Sequence, residues 1–208
     1  MDAGQQLLGQ GVNLVVSAIT LFTAAAPTPT TTNTAGSCVA LAGAPGNNTL
    51  SGFNIGNCTG GTAITGANVG TLNVSTLSIN TNGGALDLTG VGAPTVSVVL
   101  GGTTSTGGAK NVNLVGLNGT FTLASGALSG ATGNGFDVNG GTATITYSGT
   151  ISNSGAKQVN VANKTGGSVT LDGAVSGTGT GINLTTNGTA IITFRGGVVH
   201  QQRRQHRL

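Results

Sequence analysis

The sequence predicts an all-β chain, a parallel β-helix (β-solenoid) of about seven to eight coils of 23–26 residues with three short strands per coil. Three observations lead there. Glycine is 39 of 208 residues and charged residues are 5%, with no glutamate. Val, Ile, Leu and Thr are plentiful, so the chain has neither the charge nor the poverty of β-branched residues typical of disorder. Apolar-x-apolar pairs, flanked by Gly, Asn, Ser or Thr, recur at a nearly fixed interval along most of the chain.

The first column of pairs is Val39/Leu41, Thr62/Ile64, Leu86/Leu88, Val112/Leu114, Phe136/Val138, Val159/Val161 and Ile182/Leu184. Its second members are spaced by 23, 24, 26, 24, 23 and 23 residues. The second column is Asn48/Leu50, Leu72/Val74, Val96/Val98, Phe121/Leu123, Ile145/Tyr147, Val169/Leu171 and Ile192/Phe194, with spacings of 24, 24, 25, 24, 24 and 23. A weaker third column holds Phe53/Ile55, Leu77/Ile79, Leu128, Ile151, Val175 and Val198. Columns that stay in step over this many repeats mark a repeat architecture. Alternation of apolar and polar residues is strand periodicity. Abundant Gly and β-branched residues disfavour helix. Successive coils therefore stack as parallel strands, and seven rungs make a rod roughly 30–35 Å long. In this arrangement Leu88, Leu114, Val138, Val161 and Leu184 form one buried stack.

Residues 1–37 read as an irregular partial coil, with strands in "NLVVSAITLF" and a third side in "PTPTTTN". The regular helix spans 38–198, and 199–208 read as a disordered, non-repeat basic tail. Four of the seven basic residues (Arg195, Arg203, Arg204, Arg207) and both histidines lie in the last fourteen positions. Back-translated with one choice of codons and shifted by one base, "VVHQQRRQHRL" reads GLSISNGANTAF, which is β-helix language. The end is thus expected to be a frameshifted replacement for further coils, against the alternative of a genuine basic terminus.

Without residues 195–208, three lysines (Lys110, Lys157, Lys164) face four aspartates (Asp2, Asp87, Asp137, Asp172). A body so near neutrality is a poor match for nucleic acid. Residues 1–11 lack the positive charge of a secretory signal. "VNLVVSAITLFTAAA" is polar-interrupted and too short to insert in a membrane.

Two outward faces are the candidate sites. Asp87, Asn113, Asp137, Asn160 and Asn183 lie between inward members of the first column and form an Asx ladder. Asp87 and Asp137 fall two rungs apart, about 9–10 Å, near the upper end for an inverting carboxylate pair. Asn113 separates them, and neither a cleft-building loop nor further convergent groups accompany them, so no catalysis is expected. The second face is Thr-rich: Thr71/Asn73, Thr95/Ser97, Thr120/Thr122, Thr144/Thr146, Ser168/Thr170 and Ile191/Thr193. Thr95, Thr120, Thr122, Thr144, Thr146, Thr170 and Thr193 are its candidate ligand residues, on a grid of about 4.8 Å by about 6.7 Å. Exposed strand positions favour Thr in any case. "GNGFDVN" has its aspartate in the wrong phase for a calcium repeat, and such sites need several converging oxygens. No cofactor or metal is expected. Cys38 and Cys58 fall on neighbouring coils, three positions out of register. Two separate thiols are the expected state, with a bridge the alternative.

The segments "NNTLSGFNIGNCTGGTAITGANVGTLNVSTLSI" and "SGTGTGINLTTNGTAIITF" resemble parts of very large bacterial surface or secreted proteins. Those proteins carry pectate-lyase-like right-handed parallel β-helices, autotransporter-like passengers among them. The resemblance covers most of residues 5–197. It implies a fragment of a longer protein, an extracellular or cell-surface location, and a structural or adhesive role. Its partners would be host or matrix glycan or protein surfaces and further coils of the same protein. A polysaccharide-acting enzyme remnant and an ice-binding solenoid, which the Thr face resembles, are the alternative roles.

Overall fold

The computed structural model describes residues 1–16, 19–41, 46–92 and 94–200. Four strands precede the regular coils: β1 (Gln6–Leu8), β2 (Leu14–Val16), β3 (Ile19–Phe22) and β4 (Thr30–Gly36). Coil one holds β5 (Val39–Leu41) and β6 (Asn48–Gly60). Coil two holds β7 (Thr62–Val69) and β8 (Leu72–Thr81), and coil three β9 (Gly84–Gly90) and β10 (Thr95–Ser105). Coil four has β11 (Val112–Val115), β12 (Asn118–Leu123) and β13 (Ala127–Ser129). Coil five has β14 (Phe136–Asn139), β15 (Thr144–Tyr147) and β16 (Thr150–Ser152). Coil six has β17 (Val159–Ala162), β18 (Ser168–Leu171) and β19 (Val175–Gly177). Coil seven has β20 (Ile182–Thr185), β21 (Ile191–Phe194) and β22 (Val198–His200).

These coils make a right-handed parallel β-helix of about seven turns. One wall is the seven-stranded sheet β20-β17-β14-β11-β9-β7-β5. The other two walls belong to one thirteen-stranded sheet, continuous through β6, β8 and β10 and forked beyond them. In coils one to three the second and third walls are thus a single long strand that turns the corner. Register shifts at Val98/Leu100 and Leu100/Thr103 mark that bend. A bulge bends a strand while keeping most of its ladder. From coil four onward the corners "ASG", "SG" and "DG" interrupt the strand, and three short strands result, as the repeat predicts.

The core follows the columns. Leu88, Leu114, Val138, Val161 and Leu184 are in one register. The first four are at most 2% exposed, but Leu184 is 48% exposed, because among the described residues no strand covers the last coil. Two registers differ from the apolar pairing by two residues. Ile64 stacks between Val39 and Leu86, which leaves Gly66 in the row of Leu41 and Leu88. A Cβ at Gly66 would lie 2.9 Å from Val69 Cγ2 and 3.1 Å from Leu41 Cβ, so Val69 occupies that space. Likewise Val98 pairs with Phe121 and Leu100 with Leu123, while Val96 faces Gly119. Gly119 has φ +95°, and a Cβ there would lie 2.8 Å from Val96 N. Choosing the nearest apolar pair is misleading where a glycine holds an inward position.

The N-terminal segment departs from the expected irregular partial coil in "NLVVSAITLF". β2 and β3 pair antiparallel as a hairpin, whereas β1 and β4 each lie parallel on β6. β4 thus supplies the third side read from "PTPTTTN". At the other end Val199 and His200, assigned by sequence to the tail, continue β22 opposite Ser176 and Gly177. The remaining tail, 201–208, lies outside the described residues, and with it the expectations of disorder and frameshift.

Candidate functional site

The Asx face is a hydrogen-bonded ladder. Strand alternation turns Asp87, Asn113, Asp137, Asn160 and Asn183 outward from β9, β11, β14, β17 and β20, in exact register. Each amide donates one rung down: Asn113 Nδ2 to Asp87 Oδ1 (2.7 Å), Asn160 Nδ2 to Asp137 Oδ1 (2.7 Å) and Asn183 Nδ2 to Asn160 Oδ1 (2.8 Å). The break between Asn113 and Asp137 is bridged by Lys110. Its Nζ lies 3.0 Å from Asn113 Oδ1 and 2.5 Å from Asp137 Oδ2. Asn134 Nδ2 donates to the same carboxyl oxygen at 3.0 Å.

Asp137 is consequently buried, at 5% exposure, and not solvated as an outward strand position suggests. Burial pushes its carboxyl up. Hydrogen bonds from Lys110, Asn160 and Asn134, with the Lys110 charge, outweigh that and hold it below the ordinary carboxylate value. A carboxylate so fully engaged is a poor general acid or base, since it lacks a raised pKa and a free oxygen. The sequence signal for this arrangement was the basic residue Lys110, three positions before Asn113.

The Thr face is an open surface. Phe121/Leu123, Ile145/Tyr147 and Val169/Leu171 point inward, so the intervening residues point out. One row runs Thr122, Thr146, Thr170, Thr193, and the row beside it Thr120, Thr144, Ser168, Ile191. Thr120, Thr122 and Thr144 are exposed, while Thr146, Thr170 and Thr193 are half-buried. The shifted register at β10 removes Thr95 from this array. Thr95 pairs with Asn118, while Ser97 and Val99 continue the two rows beside Thr120 and Thr122. The threonine rows therefore end against Val99, 46% exposed, on one side and include Ile191, 68% exposed, on the other.

Three further features escaped the sequence reading. Cys38 and Cys58 form a disulfide, with Cα atoms 5.5 Å apart. The expectation of separate thiols counted residues along an extended strand, but the chain turns a corner here, and the Cys38 N–H donates to Thr62 O just past that turn. The Cys58–Gly61 turn that follows carries Cys58 to the corner where Cys38 sits. Lys164 is 1% exposed, and its Nζ donates to Ala143 O at 2.9 Å. Desolvation lowers its pKa. Tyr147 is fully buried, stacks on Phe136 with ring centroids 6.1 Å apart, and donates to backbone carbonyls of Thr103 and Thr150. Among the described residues no three His, Cys, Asp or Glu side chains come together as a metal site. No family model, curated protein or solved structure matches the chain.

Proposed function

We propose that the chain is a structural and adhesive segment of a secreted or cell-surface bacterial protein. It would be part of a pectate-lyase-like, autotransporter-passenger-like stalk whose Thr-rich wall meets glycan or protein surfaces. The observation that carries this reading is the pair of in-register rows, Thr122/Thr146/Thr170/Thr193 and Thr120/Thr144, on one rigid ladder. Parallel strands fix hydroxyls at a repeat of about 4.8 Å, which suits a repetitive or extended partner. The Cys38–Cys58 disulfide supports an oxidising, extracytoplasmic location. The self-satisfied Asx ladder argues against a carbohydrate-cleaving role, because its carboxylate Asp137 is held by Lys110, Asn134 and Asn160.

The experiment is binding of the 208-residue chain and of Thr146→Tyr to an array of neutral and acidic oligosaccharides and to immobilised matrix glycoproteins. Binding by the wild type, lost in Thr146→Tyr with an unchanged circular dichroism spectrum, is the expected result. No binding to either surface by the wild type, or equal binding by the variant, overturns the reading. Ice binding is the second reading, favoured by the uninterrupted four-threonine row. Thermal hysteresis that disappears in Thr146→Tyr would put it in place of the first.

A further inference from the structure

The third wall of the first two coils carries a cleft that lies on neither the Asx ladder nor the Thr-rich face. Phe53, Ile55, Leu77 and Ile79 point inward there, so Asn54, Gly56, Ser78 and Asn80 point outward from β6 and β8. β4 lies beside β6, and its exposed Thr30 and Thr32 extend the same face. Thr30, Asn54 and Ser78 are in register across these three strands, a row with a step of about 4.8 Å. Two residues further along β6 the outward position is Gly56. With no side chain at that point, the wall sinks into a cleft of ≈ 290 Å³ lined by Thr30, Asn54, Ile55, Gly56, Ser78 and Asn80. A Cβ at Gly56 would lie 2.9 Å from Thr32 Cγ2 and 3.1 Å from Thr30 Cγ2, so two threonine methyls lean over the glycine backbone.

The polar groups of this cleft are not engaged with one another. Elsewhere outward amides are tied one rung along the rod, as Asn113 is to Asp87 and Asn163 to Asn139. Close to the cleft, Asn82 Nδ2 reaches Thr59 Oγ1 at 3.0 Å in the same way. Among the described residues the side chains of Thr30, Asn54, Ser78 and Asn80 make no such bond. Each of the four both donates and accepts, and no charged residue lines the cleft. An anion would find no cation there, and a divalent metal no carboxylate. A neutral polyhydroxylated ring fits both facts. Its hydroxyls donate and accept as the side chains do, and its C–H face can lie on Gly56 and the threonine methyls. The volume suits one such ring, since small-ligand sites begin at about 300 Å³.

We infer that this cleft is a binding site for one neutral sugar ring, held by Thr30, Asn54, Ser78 and Asn80. The site goes beyond the Thr-rich rows, which lie on the second wall in coils four to seven, and does not depend on them.

Titration of the isotope-labelled 208-residue chain with glucose, galactose, mannose and N-acetylglucosamine, each to about 50 mM to cover a millimolar dissociation constant, tests this by amide NMR shifts. At least one of these sugars is expected to move the Asn54, Gly56, Ser78 and Asn80 amides. Asn54→Ala or Asn80→Ala should raise its dissociation constant about three- to tenfold, the loss of one hydrogen bond, and Thr146→Tyr on the second wall should leave it unchanged. Glucuronate and inorganic phosphate should leave these amides in place. Circular dichroism of the variants separates lost contacts from lost folding, and the wild-type shift map stands without them. Silence of the cleft amides toward all four sugars overturns the inference. So does an equal response to glucuronate or phosphate, or binding unchanged in both folded alanine variants. Shifts confined to the second wall and lost in Thr146→Tyr assign the sugar to the Thr-rich rows and overturn it too.

Discussion

The Lys110 ammonium bridges two rungs of the Asx ladder, lying 2.5 Å from Asp137 Oδ2 and 3.0 Å from Asn113 Oδ1. This joins the Asp87–Asn113 and Asp137–Asn160–Asn183 hydrogen-bonded runs into one column. Replacing Lys110 by Met leaves a buried carboxylate short of a donor, and the expected loss is about 1–3 kcal/mol in urea-unfolding free energy. The Lys110 side chain is 38% exposed, so solvent screening places the loss toward the lower part of that range.

The acid dependence has a defined sign. The folded Asp137 pKa is below its ordinary value. Between that ordinary value and the lower folded one the unfolded chain binds more protons, so stability rises with pH. The contribution is complete above the unfolded pKa, about 3.9, and vanishes as pH falls through the folded value. Asp137→Asn should flatten this part of the stability–pH curve. Melting temperatures of both proteins from acid to neutral pH check it, and parallel curves would refute it.

Leu114 and Leu184 occupy the same column, yet one is 1% and the other 48% exposed. Leu114→Ala opens a cavity between coils three and five and should cost about 2–5 kcal/mol. Leu184→Ala in the isolated monomer should cost under about 1 kcal/mol, because little area leaves water there. Equilibrium urea unfolding of the two variants measures the difference.

The Cys38–Cys58 bridge closes a loop of 20 residues across the first coil. Its contribution on the chain-entropy estimate is about 3 kcal/mol. The purified chain should react with no thiol reagent under denaturing conditions until it is reduced. Reduction, or paired Cys→Ser substitution, should lower the melting temperature. Two reactive thiols in the oxidatively purified protein would contradict the assignment.

The architecture was legible because alternation and coil period survive in the side chains: the columns through Leu88 to Val161 and Ile145 to Phe194 are in the registers their spacing predicts. Register failed at Gly66 and Gly119, where an inward position has no side chain to announce it. That second slip also misplaced Thr95. The Asx ladder was visible as a row, but its burial was not. Whether an outward Asp meets water depends on how far neighbours such as Lys110 and Asn134 reach, and one-dimensional spacing does not record that. The Cys38–Cys58 pairing depended on the tight corner at Cys58–Gly61, which brings the end of one wall beside the start of the next and which counting along a coil does not record.

The central claim is that consecutive coils stack in register and so align the threonine rows. Methyl NOE spectroscopy tests it most directly. The account predicts cross-peaks linking the Thr122, Thr146, Thr170 and Thr193 methyl groups in sequence, within one chain, as neighbours one rung apart. Absence of these contacts, or contacts displaced by two residues along the strands, would contradict it.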